Sequence, residues 1–313
     1  MQPANQTQLN PPEKSTSRPA SSGAAGPEQP FRCGLAVLVG RTNAGKSTLL
    51  NALVGTKVSI VTPRPQTTRE AIHGVVNRPE GQIVFVDTPG FFKTHASALV
   101  ETLHKRAKEA LADVDVIVHV ADPTRPIGEE DEIVLAVLAK QQKPKILCLN
   151  KSDVPYRRYR SPWFMKQNDY AAVVEVSAID RQNLEPLVSE IIKHLPTGPG
   201  LYPAEQVSNA TREFTFAEVI REQIYLQTGE EVPYRTSVEL DAIEEAVSEI
   251  GKPVLRVKAT ILTPSDRYQR MLIGAKARMV KSLRLAAQQQ LRKLTGKKVS
   301  LDLEVLVDKK MPK

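Results

Sequence analysis

A short apolar run, Leu35-Ala36-Val37-Leu38-Val39, leads into Gly40-Arg41-Thr42-Asn43-Ala44-Gly45-Lys46-Ser47, and a helical pattern begins at Lys46. The eight residues read GxxxxGKS, a spacing that suits a polyphosphate. Backbone N–H groups of such a loop and of the helix N-terminus surround the anion, and the helix dipole favours its charge. Glycines at 40 and 45 let the main chain approach the oxygens without a Cβ in the way. Lys46 is placed to reach the β- and γ-phosphates, and the Ser47 hydroxyl to bind Mg²⁺. A glycine-rich turn without a ligand is the plainer reading, and the strand–loop–helix context argues against it.

Two further motifs follow apolar runs. Asp87-Thr88-Pro89-Gly90 follows Ile83–Val86, and a carboxylate at a strand's C-terminal end can hold the shell of a Mg²⁺ ion through water. Asn150-Lys151-Ser152-Asp153 follows Lys145–Leu149. An Asp there can accept paired hydrogen bonds from guanine N1–H and the exocyclic amine, whereas adenine has no donors at those positions. Each motif alone reads as a turn; in this order they form a metal-shell and guanine-selecting set. Ser177-Ala178, after Val173–Val176, adds a backbone amide for guanine O6. An ATPase sharing the phosphate loop is the rival, and it requires Asp153 to be incidental.

These residues need a scaffold that presents strand ends side by side. The apolar runs at 35–39, 83–86, 116–120, 145–149 and 173–176 read as buried strands. Stretches near 46–54, 97–112, 129–141 and 183–194 read as amphipathic helices. The alternation predicts a doubly wound, mostly parallel α/β sheet. Pro196-Thr197-Gly198-Pro199-Gly200 and Pro203 then break the pattern. Beyond lie a helix at about 211–227, a strand at 235–241, alternating strands at 255–261 and 299–307, and a helix through Val280, Leu283, Ala287, Leu291 and Leu294 that Gly296 caps. With a further helix before the turn at 274–277, the order α-β-β-α-α-β is that of a small α+β module. The organisation expected is a disordered tail at 1–31, a nucleotide-binding domain at 32–200, a linker at 201–210 and a second domain at 211–313.

Composition narrows the classes. The chain has 313 residues, two cysteines (Cys33 and Cys148) and a formal charge of +8. That excludes a disulfide scaffold and a zinc site of four thiolates, and no apolar run approaches a membrane span. Residues 252–313 hold 16 Lys/Arg against 4 Asp/Glu, while 205–251 hold 3 against 11. A basic end after an acidic stretch points to a polyanionic partner. The tail, rich in Gln, Asn, Pro, Ser, Ala and Gly, lacks both an Arg-rich amphipathic presequence and the apolar core of a secretory signal.

In that order, Gly40–Ser47, Asp87–Gly90, Asn150–Asp153 and Ser177-Ala178 resemble the motifs of the translation-factor-class GTPases, and Thr67-Thr68-Arg69 is similar to switch I of their Era-like branch. The resemblance implies a Mg²⁺-binding threonine at Thr68, with Thr67 as the alternative; a loop or strand start is the plainer role for that pair. Asn43 matches the asparagine that binds K⁺ in K⁺-activated members; it also suits the loop backbone whether or not an ion is bound. Many GTPases orient water with a Gln after the DxxG glycine. Here that residue is Phe91, as in the branch with a hydrophobic residue there. Charge neutralisation then falls to Lys46, Mg²⁺, K⁺ and a partner, which implies slow intrinsic hydrolysis and a switch role.

The second module is similar to a type II KH domain, an RNA-binding fold whose GxxG loop clamps unpaired nucleotides. The corresponding loop is Gly274-Ala275-Lys276-Ala277, with Ala277 in place of the second glycine, where its methyl group crowds the phosphate or the turn. Lys276, Arg278 and Lys281 supply phosphate contacts, and Arg292-Lys293 and Lys297-Lys298 extend the positive surface. A KH module after such a GTPase resembles the Era family over residues 32–313. The resemblance implies a monomeric, cytoplasmic GTP/GDP switch that binds single-stranded 16S rRNA near its 3′ end. It also implies a role in small-subunit (30S) assembly and rRNA maturation, and peripheral contact with the inner face of the cell membrane. A nucleotide-gated scaffold, with RNA binding weakened at Ala277 and the basic end on acidic lipid or protein, is the alternative.

Overall fold

The computed structural model describes residues 30–59, 72–87, 111, 113–229, 231–247 and 251–311, and for Ile72, His73 and Asp87 the backbone alone. The expectations for Thr67, Thr68, Arg69, Thr88, Pro89, Gly90 and Phe91, for the Asp87 side chain, for residues 1–29 and, apart from Leu111, for a helix at 97–112 lie outside the described residues.

Strands β1 (Arg32–Val39), β2 (Ile72–Arg78), β3 (Gly81–Asp87), β4 (Val116–Ala121), β5 (Lys145–Leu149) and β6 (Ala172–Glu175) form one sheet in the order β2-β3-β1-β4-β5-β6. All neighbours run parallel except β2, which is antiparallel to β3. The apolar runs are continuous because the central strands are covered on both faces. Ala36 and Leu38 pack with Leu49, Leu50 and Leu53 of α1 (Lys46–Val54) and with Leu187, Val188 and Ile191 of α4 (Leu184–Lys193). Val37 and Val39 face the opposite way, toward Val134 and Leu138 of α2 (Glu129–Leu138). The short α3 (Arg160–Phe164) buries Trp163 against Leu147 and Leu149. Strand order reverses beside β1, so the loops after β1 and β4 border the crevice where open α/β sheets hold ligands.

A second, three-stranded sheet pairs β7 (Ser237–Val247) antiparallel and β9 (Lys298–Val307) parallel to the central β8 (Pro253–Thr263). Helices α5 (Arg212–Gln227), α6 (Asp266–Ile273) and α7 (Arg278–Thr295) cover it, giving the α-β-β-α-α-β order. Leu255, Val257, Ala259 and Ile261 meet Leu283, Ala287 and Leu291 in the core, while Arg256 and Lys258 are exposed. The strand expected at 235–241 runs six residues further, to Val247. Its Glu-rich second half carries little strand propensity of its own and is held by pairing to β8 across a register shift at Leu240/Ala242.

Residues 196–208 cross the first sheet as a strap. Gln82, 2% exposed on β3, accepts from the Leu201 and Tyr202 amides (2.7 and 2.9 Å) and donates to the Tyr202 carbonyl (2.8 Å). Val75 N–H donates to Val207 O (2.9 Å), and Gly74 bridges to Ser208 beside the edge strand β2. Ala210 and Phe214 then pack against the first core, and Lys57 makes an ion pair with the nearly buried Glu222 of α5.

Candidate functional site

Gly45 caps the N-terminus of α1 with a left-handed φ of 98°, and no side chain bonds to the cap, an arrangement that suits an anion at the first-turn amides. Packing also requires glycine here. A Cβ at Gly45 would stand 2.2 Å from Asn150 Nδ2, and one at Gly40 would stand 2.2 Å from Val120 O. Lys46 curls over the loop, its Nζ donating to the carbonyls of Gly40 (2.9 Å) and Arg41 (2.8 Å). A phosphate can replace those acceptors. Ser47 is half-buried one residue further on. Asn43 has φ 61°, a left-handed conformation that Asn tolerates, so the backbone alone accounts for an asparagine there.

Asn150, buried at the end of β5, joins two loops: Nδ2 donates to Ala44 O (2.9 Å) and Oδ1 accepts from Ala178 N–H (3.1 Å). Asp153 is exposed, and its Oδ1 accepts from the Ser177 hydroxyl (2.7 Å), which itself accepts from Asp180 N–H (3.1 Å). Ser152 N–H donates to Val176 O (3.0 Å), tying this loop to the 176–178 segment. The structure thus brings Gly40–Ser47, Asn150–Asp153 and Ser177-Ala178 to one edge of the sheet. Asp87 ends β3 there, on the strand next to β1.

Sequence reasoning missed Asp122 and its neighbours. Asp122 follows β4 directly and is 2% exposed. Its Oδ2 accepts from Lys151 Nζ (2.6 Å) and lies 3.2 Å from Arg41 Nη2, while its Oδ1 accepts from the Thr124 amide (3.0 Å) and hydroxyl (2.5 Å). Burial alone would push this carboxyl up, but the Lys151 ammonium and the Thr124 bonds outweigh it and hold Asp122 below its ordinary range. Burial does push Asp131 up, despite the Gly128 amide and Arg41. The first turn of α2 also reaches the phosphate loop, through Glu130 to Thr42 N–H (2.9 Å) and Asp131 to Arg41 Nη1 (3.4 Å). Arg41 therefore turns its side chain to these carboxylates and offers the phosphate side only its backbone. The criterion that singled out Asp87, a carboxylate at the C-terminal end of an apolar strand, would have found Asp122.

In the second module, Gly274, Lys276 and Ala277 have φ values of 69°, 53° and 58° in the turn between α6 and α7. Ala277 thus adopts the left-handed conformation that a glycine would take freely. Lys276, Arg278 and Lys281 are exposed along the turn and the first turns of α7. Lys297 is not free to extend that surface, because its Nζ donates to Glu245 (2.7 Å). The acidic stretch is used internally in the same way: Glu218 pairs with Arg221, Glu222 with Lys57, and Glu231 with Arg267 and the Tyr268 hydroxyl.

Residues 35–151 match the family described as 50S ribosome-binding GTPase, and residues 231–311 match the KH domain family. GTPase Era of Halothermothrix orenii is 37% identical over 284 residues, covering 89% of this chain and 94% of that protein. GTPase Era of Bordetella avium is 38% identical over 285 residues, covering 90% and 94%. Among solved structures, an Aquifex aeolicus Era variant bound to GDP and aluminium fluoride superposes with a TM-score of 0.78 at 32% identity, over 89% of this chain and 95% of that one. Era in complex with MgGDPNP and nucleotides 1506–1542 of 16S ribosomal RNA does so with the same score and identity, over 90% and 95%.

Proposed function

The chain belongs to the Era family of GTPases, and from that membership we propose that it couples its nucleotide state to the binding of single-stranded RNA near the 3′ end of 16S rRNA, in the service of 30S subunit assembly and rRNA maturation. It hydrolyses GTP to GDP and phosphate, and the similar Era complex with 16S rRNA nucleotides holds MgGDPNP. The observation that carries the coupling is the joining of the two modules: a guanine-nucleotide motif set and an exposed basic KH turn on one chain whose intervening strap is bonded to the first sheet.

Phosphates would lie along the Gly40–Ser47 amides with Lys46 over them, and guanine against Asp153, its O6 sharing or taking over the Ala178 N–H that Asn150 Oδ1 accepts here. Ser47 would ligate Mg²⁺, joined by Thr68 and, through water, by Asp87. The Ser47 hydroxyl, a carboxylate and phosphate oxygens are hard donors suited to that ion. When bound, Mg²⁺ would supply charge neutralisation to the phosphate oxygens. Asn43 would hold K⁺ beside the phosphates. Segments around Thr68 and Asp87–Phe91 would respond to the γ-phosphate. With no donor or acceptor at Phe91, intrinsic hydrolysis is slow.

RNA would meet Gly274–Ala277 with Lys276, Arg278 and Lys281 on its phosphates. The left-handed Ala277 supports this over the scaffold reading, because the turn keeps a glycine-like backbone. The basic C-terminal stretch also suits anionic headgroups, which makes peripheral membrane contact part of the proposal. The test of the RNA surface is an oligonucleotide titration with Arg278→Ala/Lys281→Ala. We expect weaker binding and a salt dependence of log K reduced by roughly 1.4, for two phosphate contacts on a single strand. Unchanged affinity and slope would place the RNA elsewhere.

A further inference from the structure

We propose that Asp122 is a positioning residue for the guanine nucleotide: it holds the Lys151 ammonium in place and, through Arg41, ties the base-reading loop to the phosphate loop. The assignment rests on residues 40–47 and 150–153 forming the nucleotide site. Lys151 sits second in the Asn150–Asp153 motif with a left-handed φ of 64°, and its side chain is 30% exposed. A lysine stem so placed loses rotamer freedom when a base packs beside it. Asp122 removes that freedom beforehand, since its side chain is 1% exposed and its oxygens are all engaged, by Lys151, Arg41 and Thr124.

The other arm runs into the phosphate loop. Arg41 lies between Asp122 (3.2 Å) and Asp131 (3.4 Å), and Asp131 Oδ2 also accepts from Gly128 N–H (3.0 Å) at the start of α2. Two cations and two carboxylates therefore alternate from α2 through the phosphate loop to the guanine loop. Coupled anchoring of this kind lowers the ordering cost of binding, and charge-assisted bonds in a buried site are the strong ones. Because the chain of charges includes neither Lys46 nor Ser47, its effect falls on nucleotide retention and spares the hydrolytic step.

The experiment uses the full chain with Asp122→Asn, which keeps the shape and an oxygen for Thr124 but presents an amide to two cations. GDP and GTP Kd values are expected to rise together by about tenfold, while the single-turnover hydrolysis rate of bound GTP stays within about twofold. Lys151→Met is expected to weaken binding comparably, and the double variant to add less than about twofold to it, because the two residues act as one unit. Native affinity in Asp122→Asn, full additivity in the double variant, or a slower hydrolytic step at unchanged Kd would each overturn the proposal. If Asp122→Asn does not fold, Lys151→Met alone decides: native GDP affinity overturns the proposal and a rise of about tenfold supports it. A native protein without preference for GDP over ADP would instead overturn the nucleotide-site reading itself.

Discussion

Ala277 carries a φ of 58° without the freedom of a glycine, following Lys276 at 53°. A single L-residue in this region costs about 1–2 kcal/mol, partly offset by the smaller unfolded-state entropy of alanine. Ala277→Gly should therefore stabilise the chain by about 0.5–1 kcal/mol, read as a higher denaturation midpoint at unchanged m-value. A lower midpoint would mean that the methyl group is held by contacts worth more than the strain. His119 offers a pH test. It lies fully buried on β4, hydrogen-bonded through Nδ1 to the Tyr170 hydroxyl (2.6 Å) and edge-on to Trp163. Burial, with a smaller contribution from the Lys46 charge, lowers its pKa from 6.5 to about 3. Between those values the unfolded chain binds a proton that the folded chain refuses. Stability from this source is complete above pH 6.5 and declines as pH falls toward 3, with a slope approaching about 1.4 kcal/mol per unit. Urea unfolding at pH 7, 6 and 5 should show a shallower decline in His119→Phe than in the native chain; parallel declines would contradict the assignment. Asp153 lies in a four-residue motif, whereas Asp122 offered only its place after an apolar strand, and its partners Lys151 and Arg41 come to it only on folding.

The elements were largely legible because their signals are local. α1 begins at Lys46 and α7 ends at Gly296, each at a residue that the local pattern marks. The strap was not legible. Pro196–Gly200 and Pro203 read as a loose tether, but proline and glycine composition says nothing about a glutamine far away in sequence that satisfies the tether's backbone. Gln82 does so with bonds to both Leu201 and Tyr202 while also donating to Asn77 Oδ1 (2.7 Å). Gln82→Leu fills similar space but leaves those backbone groups without their partner, at a cost of about 1–3 kcal/mol. The expected readout is faster exchange at the Leu201 and Tyr202 amides and faster proteolysis near residues 198–206 in the folded protein. Native protection in Gln82→Leu would show that the Val75–Val207 bond and the Gly74–Ser208 bridge hold the strap unaided.

The two modules do not hang on a tether. Ala210 and Phe214 pack against the core of the nucleotide-binding module, Lys57 after α1 pairs with Glu222 of α5, and Val75 on β2 bonds to Val207. Lys57 and β2 flank residues 60–71, where the Era-like resemblance places the switch threonine. A change in that segment on loss of the γ-phosphate would reach α5 and the strap together. Coupling has this physical form only if the RNA surface responds to nucleotide. The most direct measurement titrates the full chain, loaded with a non-hydrolysable GTP analogue or with GDP, against an oligonucleotide matching the 16S rRNA 3′ end and a scrambled control, across a salt series. Tighter, sequence-dependent binding by the GTP-analogue form at every salt concentration is the predicted result. Equal binding by both forms, indifferent to sequence, would contradict it.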